Sequence, residues 1–227
     1  MYRRIIAVGD IHGNFTRFQS LWECLDYEPE NDLLIFLGDY IDRGSKSLQV
    51  LDWLMEHRSE RVIVLRGNHE QMMLDLLDSG GRLQDWLLPD DGSGSISAGL
   101  GNDEGEYSKY ADFMRSLPCS YSLTAKGKTW FFCHAGIQPN VPLQQQREEA
   151  LLWIREDYYE KYDGEAVIVS GHTPVQYIQY GRTEPIIRHN MIQLDTGSYL
   201  ERGVGFISAV DVLTGEYWQS AADVDRD

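Results

Sequence analysis

The chain contains six histidines, and four of them share one kind of setting. His12, His69, His134 and His172 each stand at the end of an apolar run, beside glycine, asparagine or an acid. The segments are Gly9-Asp10-Ile11-His12-Gly13-Asn14, Gly67-Asn68-His69-Glu70, Phe132-Cys133-His134-Ala135-Gly136 and Ser170-Gly171-His172-Thr173-Pro174. Imidazole, carboxylate and amide oxygen together suit a borderline divalent metal such as Mn, Fe or Zn. The adjacent glycines let backbone and ligand approach closely. A lone histidine at a strand end is usually structural, but packing does not explain four of them with Asp10, Asp39 and Asn68 in equivalent positions. His57, at the end of a helical stripe, and His189, in a polar turn, receive no role.

The elements that must position these residues are short. Strand-like runs at Ile5–Val8, Leu33–Leu37 and Arg61–Leu65 each end in a polar, glycine-containing loop, and a helical stripe follows each. The stripes are Phe15, Phe18, Leu21, Trp22, Leu25, then Leu48, Leu51, Leu54, Met55, then Met72, Met73, Leu76, Leu77, and they read as core faces. Strand, loop and helix repeated three times make a βαβαβ unit with parallel strands and loops gathered at their carboxyl ends. Residues 80–106, rich in glycine and acid, read as a lid or insertion around a short Leu83–Leu88 helix, with an inert acidic loop as the alternative. A helix is expected over Tyr107–Leu117, stopped by Pro118. The second half reads as strands at Ser120–Thr124, Thr129–Cys133, Ala166–Ser170, Met191–Leu194, Gly205–Val212 and Glu216–Gln219, with one helix around Glu148–Tyr159. Ala125-Lys126-Gly127-Lys128 has the look of a hairpin turn. With no repeat or linker, residues 1–227 read as one catalytic domain.

Composition bounds the function. The chain of 227 residues is 42% hydrophobic, enough to build a core and to exclude wholesale disorder. Its 20 Lys+Arg against 36 Asp+Glu leave a net charge of −16, which opposes a broad nucleic-acid binder and mildly disfavours highly anionic polyphosphates. It does not oppose a small phosphorylated substrate, since a bound cation reverses the local field. No stretch of 18 apolar residues exists, and the N-terminal apolar run is too short for a signal peptide, so no membrane association and a cytoplasmic location are expected. Cys24, Cys119 and Cys133 read as reduced thiols, with Cys133 as packing and not as a nucleophile. Gly127-Lys128-Thr129 is not the end of a phosphate loop, because Ser122 stands where the earlier glycine is required. The acidic residues Asp223–Asp227 read as a solvated end.

The ordered set GDIHGN, GDYIDRG, RGNHE, HAG and GHTP resembles the calcineurin-like metallophosphoesterases, and within them the phosphoprotein phosphatase branch that includes bacteriophage lambda protein phosphatase and bacterial diadenosine tetraphosphatase. The resemblance runs from Asp10 to at least Gly197. It implies an α/β fold (α+β in some schemes) of two packed mixed β-sheets flanked by helices, with a dinuclear metal centre at the loops. It implies two divalent ions, Mn2+ foremost with Fe or Zn as alternatives, held ~3.5–4 Å apart. By motif, Asp10 and His12 would hold the first ion, Asp39 would bridge both, and Asn68, His134 and His172 would complete the second.

The same resemblance makes His69 the general acid, oriented and charged by Asp42, since a neighbouring carboxylate favours the imidazolium. Arg43 would grip the phosphoryl oxygens with its planar fork, and Arg155, in Leu152-Trp153-Ile154-Arg155-Glu156, would be a second phosphate-binding arginine. Arg66 would be supporting structure. The function implied is a serine/threonine protein phosphatase that hydrolyses phosphomonoesters in one step by attack of a metal-bridging hydroxide. Its substrate would be a phosphorylated protein or a small phosphoester. Hydrolysis of a symmetrical dinucleoside polyphosphate is the alternative within the enzymes, and a non-catalytic metal-binding scaffold the alternative outside them.

Overall fold

The computed structural model describes residues 2–80, 104–155 and 158–227. Its first half is β1 (Arg4–Val8), α1 (Phe15–Leu25), β2 (Asp32–Phe36), α2 (Ser47–His57), β3 (Val62–Val64), α3 (Asn68–Asp78) and α4 (Glu104–Arg115). The second half is β4 (Ser120–Ala125), β5 (Lys128–Cys133), α5 (Glu148–Trp153), α6 (Tyr158–Lys161), β6 (Val167–Ser170), α7 (Val175–Ile178), β7 (Ile186–Arg188), β8 (Met191–Gln193), β9 (Ser208–Asp211) and β10 (Tyr217–Gln219).

Two five-stranded mixed sheets result, in the orders β10-β9-β1-β2-β3 and β4-β5-β6-β8-β7. β1, β2 and β3 run parallel, as the repeated strand–loop–helix pattern requires, while β9 joins β1 antiparallel. β5, β6 and β8 are parallel in the other sheet. The alternation of side chains along a strand divides the core into layers. Ile5, Ala7, Leu33 and Ile35 face Trp130, Phe132, Val167, Val169 and Ile192 between the sheets. Ile6, Val8, Leu34 and Phe36 face α1 and α2 through Phe18, Leu21, Val50 and Leu54. On the outer face of the second sheet, Phe131, Cys133, Ile168 and Met191 pack with Leu151, Leu152 and Tyr158. Strands covered on both faces carry continuous apolar runs, which is why Asp32–Phe36 is buried at every position.

Several expectations shift in detail. The 107–117 helix begins at Glu104 and ends at Arg115. The hairpin turn narrows to Lys126 (φ 50°) and Gly127 (φ 76°), two left-handed residues that match the right-handed twist of β4 and β5. The expected Glu148–Tyr159 helix is two short pieces, broken after Trp153. Of the expected 80–106 insertion, residues 81–103, with the Leu83–Leu88 helix, lie outside the described residues. Among the described residues no helix is long and apolar enough to cross a membrane.

Asp223 and Asp225 are exposed, as expected, but Asp227 is anchored, which corrects the sequence reading at that position. The Thr16 N–H and hydroxyl both donate to the Asp227 carboxylate at 2.7 Å, Lys46 Nζ pairs with it at 2.7 Å, and the Asp227 N–H donates to Asn14 Oδ1 at 3.0 Å. Buried Arg17 reaches the Val224, Ser198 and Leu200 carbonyls. Composition alone showed only the acids of this segment, and its partners lie about two hundred positions away.

The Phe36 ring stands 5.9 Å from Phe18 and 5.7 Å from Trp53, centroid to centroid. Phe36→Ala is expected to lower the unfolding free energy by about 3–5 kcal/mol, read from the urea midpoint at unchanged slope.

Candidate active site

Five of the parallel strands each deliver one motif at the carboxyl end. β1 leads to Asp10 and His12, β2 to Asp39, Asp42 and Arg43, β3 to Asn68 and His69 at the start of α3, β5 to His134, and β6 to His172. The loops turn sharply. Among the described residues seven non-glycine positions have positive φ, and five are His12 (49°), Asp39 (56°), Asp42 (70°), Arg43 (72°) and His172 (67°). Such strain persists only where the surroundings fix it. Here the Ile11 and His12 N–H groups donate to the Asp39 carbonyl at 3.0 and 2.9 Å. Buried Glu70 accepts from the Gly67 and Asp39 N–H groups through Oε2 at 2.9 Å each, and from those of Tyr40 and Ile41 through Oε1 at 2.8 and 3.3 Å. Two glycines are dictated by crowding: a Cβ at Gly171 would lie 2.1 Å from Asp10 Oδ1, and one at Gly67 2.3 Å from the Asp39 backbone nitrogen.

The donor atoms converge around Asp39. Its Oδ2 is 3.5 Å from His12 Nε2, and its Oδ1 is 3.3 Å from His134 Nε2. Asn68 Oδ1 lies 2.8 Å from both His134 Nε2 and His172 Nδ1, which are 3.1 Å from each other. Two clusters therefore share one carboxylate: His12, Asp39 and His69, and Asp39, His134 and His172. Asp10 is outside these tight groups, but its carboxylate accepts from the His172 N–H at 3.1 and 3.2 Å.

Protonation follows from the neighbours. His12 and His134 direct Nδ1 at the Ile41 and Leu37 carbonyls (3.0 and 3.1 Å), so Nδ1–H donates and Nε2 of each is turned toward the centre. Burial lowers the pKa of His12 to about 3 and that of His172 to about 2, so both rings are neutral at physiological pH. Burial also pushes the Asp10 carboxyl well above its usual range, with Asp195 and Asp39 adding to it. Burial opposes charge on Asp39 too, but the facing His134 and His69 outweigh it and hold the group well below the usual range. The donor set fits two divalent cations: buried imidazoles turned toward one centre, an amide oxygen, a shared carboxylate and a second buried carboxylate whose charge a cation would relieve.

Beside this cluster, His69 Nδ1–H donates to Asp42 Oδ2 at 2.6 Å, leaving Nε2 pointed inward, 3.9 Å from Asp39 Oδ2. Burial works against charge on His69, yet Asp39 and Asp42 prevail and raise its pKa to about 9. Exposed Arg43 lies over the Tyr199 ring, 4.8 Å from the centroid, and that ring meets His12 edge-on at 5.3 Å. Arg155 Nη1 donates to the His172 carbonyl at 3.4 Å. Arg66 is set further back, with Nη2 at 3.2 Å from Cys119 Sγ and 3.8 Å from Glu148. Cys133 is fully buried, its thiol pKa raised by burial and its S–H directed at the Gly136 carbonyl, so it has no thiolate to offer. His57 stacks on Trp53 at 4.0 Å, and His189 stands in the exposed turn between β7 and β8.

Three residues given no role from sequence belong to this region. Glu70 was visible as the acid three positions after Gly67 but gave no sign that it holds the Asp39 loop. Asp195, raised by burial to about 6, accepts from the Gly197 N–H at 2.9 Å and influences Asp10. Tyr199 carried no signal at all.

A family model described as calcineurin-like phosphoesterase matches residues 3–203. The chain is 33% identical over 135 residues to a symmetrical bis(5'-nucleosyl)-tetraphosphatase of Chromobacterium violaceum, covering 60% of this chain but only 44% of that protein. It is 29% identical over 208 residues to serine/threonine-protein phosphatase 2 of Escherichia coli, covering 87% of this chain and 88% of that one. A solved structure described as a candidate diadenosine tetraphosphatase superposes with a TM-score of 0.70 at 19% identity, over 96% of this chain and 95% of the other, which establishes likeness of fold.

In metal-free protein, the raised pKa of His69 means that its charge stabilises the fold fully below about pH 6.5, the unfolded value, and that this contribution is lost as pH rises through about 9. Asp42→Asn is expected to lower the His69 midpoint by a unit or more in an NMR titration of the imidazole, and to flatten the decline of stability over that range.

Proposed function

The chain belongs to the calcineurin-like phosphoesterases, and from that membership we propose that it is a metal-dependent serine/threonine protein phosphatase, with Asp39 shared by two clusters of candidate metal ligands as the observation that carries the reading. Asp10, His12 and Asp39 would hold one divalent ion, and Asp39, Asn68, His134 and His172 the other, with Mn2+ the preferred occupant. Bound there, the pair supplies Lewis acidity and a nucleophile derived from water.

The chain's own residues do the rest. Arg43 and Arg155 bind and orient the phosphoryl oxygens with planar forks, a geometry that lysine cannot reproduce. Asp42 fixes the Nδ1–H of His69, so the ring carries its second proton on Nε2, where a departing serine or threonine alkoxide needs it. An alkoxide is a poor leaving group, and that proton is the chain's main contribution to breaking the ester bond. Glu70 holds the Asp39–Ile41 backbone, and the Asp42 N–H donates to Ser47 Oγ at 3.1 Å.

The motifs are common to both enzyme readings; the protein-phosphatase reading is supported by the Escherichia coli phosphatase, which aligns along nearly all of both chains, whereas only 44% of the symmetrical tetraphosphatase is covered. Hydrolysis of a dinucleoside polyphosphate is the second reading, favoured by the 33% identity to the tetraphosphatase over the shared segment. A non-catalytic scaffold is opposed by the retention of all six metal-ligating residues together with the His69–Asp42 pair.

Turnover of phosphoserine and phosphothreonine peptides against diadenosine tetraphosphate, with and without Mn2+, tests the reading; it fails if only the dinucleotide is hydrolysed. His69→Asn is expected to lower kcat on a phosphoserine peptide by about 10²–10⁴ while metal content stays intact, with a much smaller loss on an aryl phosphate, whose leaving group needs no proton. Asp39→Asn is expected to lose both metal stoichiometry and activity; two ions retained at full activity would remove it from the shared position.

A further inference from the structure

A cavity of about 400 Å³ opens beside Arg155, walled by Gln138, Arg147, Glu149, Trp153 and Ile154. It borders the site at Arg155, whose guanidinium reaches the His172 carbonyl, and α5 is tied to the His134 loop where the Leu151 carbonyl accepts the N–H of Ala135. Its wall is preorganised: the Gln146 side chain accepts from the Gln138 N–H at 2.8 Å and donates to the Gln138 and Val141 carbonyls at 2.9 and 2.8 Å.

Two arginines line this one cavity. In a protein with 36 acids against 20 bases, Arg3, Arg4, Arg66, Arg115 and Arg202 all face a carboxylate. Arg147 and Arg155 have no ion pair among the described residues, although both line the same cavity as Glu149. Between them Trp153, 40% exposed, and Ile154 supply apolar surface. Two guanidinium groups without an ion pair among the described residues, lining one cavity with an exposed indole, fit a segment bearing a negative group and an apolar neighbour.

We infer that this groove binds the peptide flanking the phosphorylated residue and selects segments with an acidic side chain, Arg155 serving the phosphoryl group and Arg147 the flanking carboxylate or second phosphate. The inference rests on the protein-phosphatase reading above. Arg147 is a specificity residue and does not touch the reacting atoms.

The experiment compares kcat/KM for three phosphothreonine peptides of equal length whose flanks are acidic, neutral or basic, in the wild type and in Arg147→Glu, with diadenosine tetraphosphate as a fourth substrate, all with Mn2+. The ratio between peptides within one protein is the readout, so a general loss of activity cancels. The wild type is expected to favour the acidic over the neutral flank by about five- to tenfold, the scale of a charge-assisted hydrogen bond at a half-open surface. Arg147→Glu is expected to reverse the order toward the basic flank. Equal ratios in both proteins, with peptides well hydrolysed, would overturn the inference and leave the phosphatase reading standing. A loss confined to the dinucleotide would assign the groove to a nucleotide and likewise overturn it. Absence of turnover on every peptide, with the dinucleotide hydrolysed, would remove the phosphatase reading and the inference together.

Discussion

One buried carboxylate decides the arrangement. Asp39 stands where the carboxyl ends of both sheets meet, with one oxygen turned to His12 from the first sheet and the other to His134 from the second. A carboxylate out of water is stable only when each oxygen has a partner. Its Oδ1 accepts the His69 N–H at 3.0 Å, and for Asp39 to face His12 and His134 at once both sheets must end at the same place with their parallel strands pointing the same way. The sandwich interior of Ile5, Ala7, Leu33, Ile35, Phe132 and Val169 fixes that alignment, so sheet packing and site geometry are one constraint.

The second requirement is backbone conformation. Five left-handed residues carry the functional side chains, each disfavoured for a residue with a Cβ. Strain of that kind is held by hydrogen bonds from side chains that perform no chemistry. Glu70 gathers four backbone N–H groups, and Asn14 Nδ2 donates to the Ile11 and His12 carbonyls while its oxygen receives the Asp227 N–H. The segment ending at Asp227, joined also to Thr16 and Lys46, thus braces the loop that carries Asp10 and His12. These braces are as much part of the site as the residues that face its centre.

What was legible in the sequence follows from the range over which each signal acts. The apolar runs that end abruptly in Gly-Asp, Gly-Asn-His or His-Ala-Gly mark strands and the loops at their ends, because burial and turn chemistry are local. The three parallel strands of the first half, the hairpin of β4 and β5, and the gathering of His12, His134 and His172 were readable for that reason. Helix α7 and strand β7, of four and three residues, have too few positions to display a period. Asp195, Tyr199 and Asp227 were opaque for a different reason. Each is an ordinary polar or aromatic residue until its long-range partners are known, and the partners of Asp227 lie at Asn14, Thr16 and Lys46.

Net charge deserves less weight in choosing the substrate than it receives from composition. Fields between exposed charges fade beyond a Debye length of about 8 Å at physiological salt. In the proposed site a phosphoester would experience chiefly Arg43, Arg155, His69 and the carboxylates of Asp10, Asp39 and Asp42, together with whatever cations those carboxylates hold, and not the sum of acids on distant faces. The −16 total then neither favours a peptide nor excludes a polyphosphate. Discrimination passes to surfaces just beyond the reacting group. Arg147 and Trp153, which border the cavity beside Arg155, are described residues positioned to read what lies next to the phosphate.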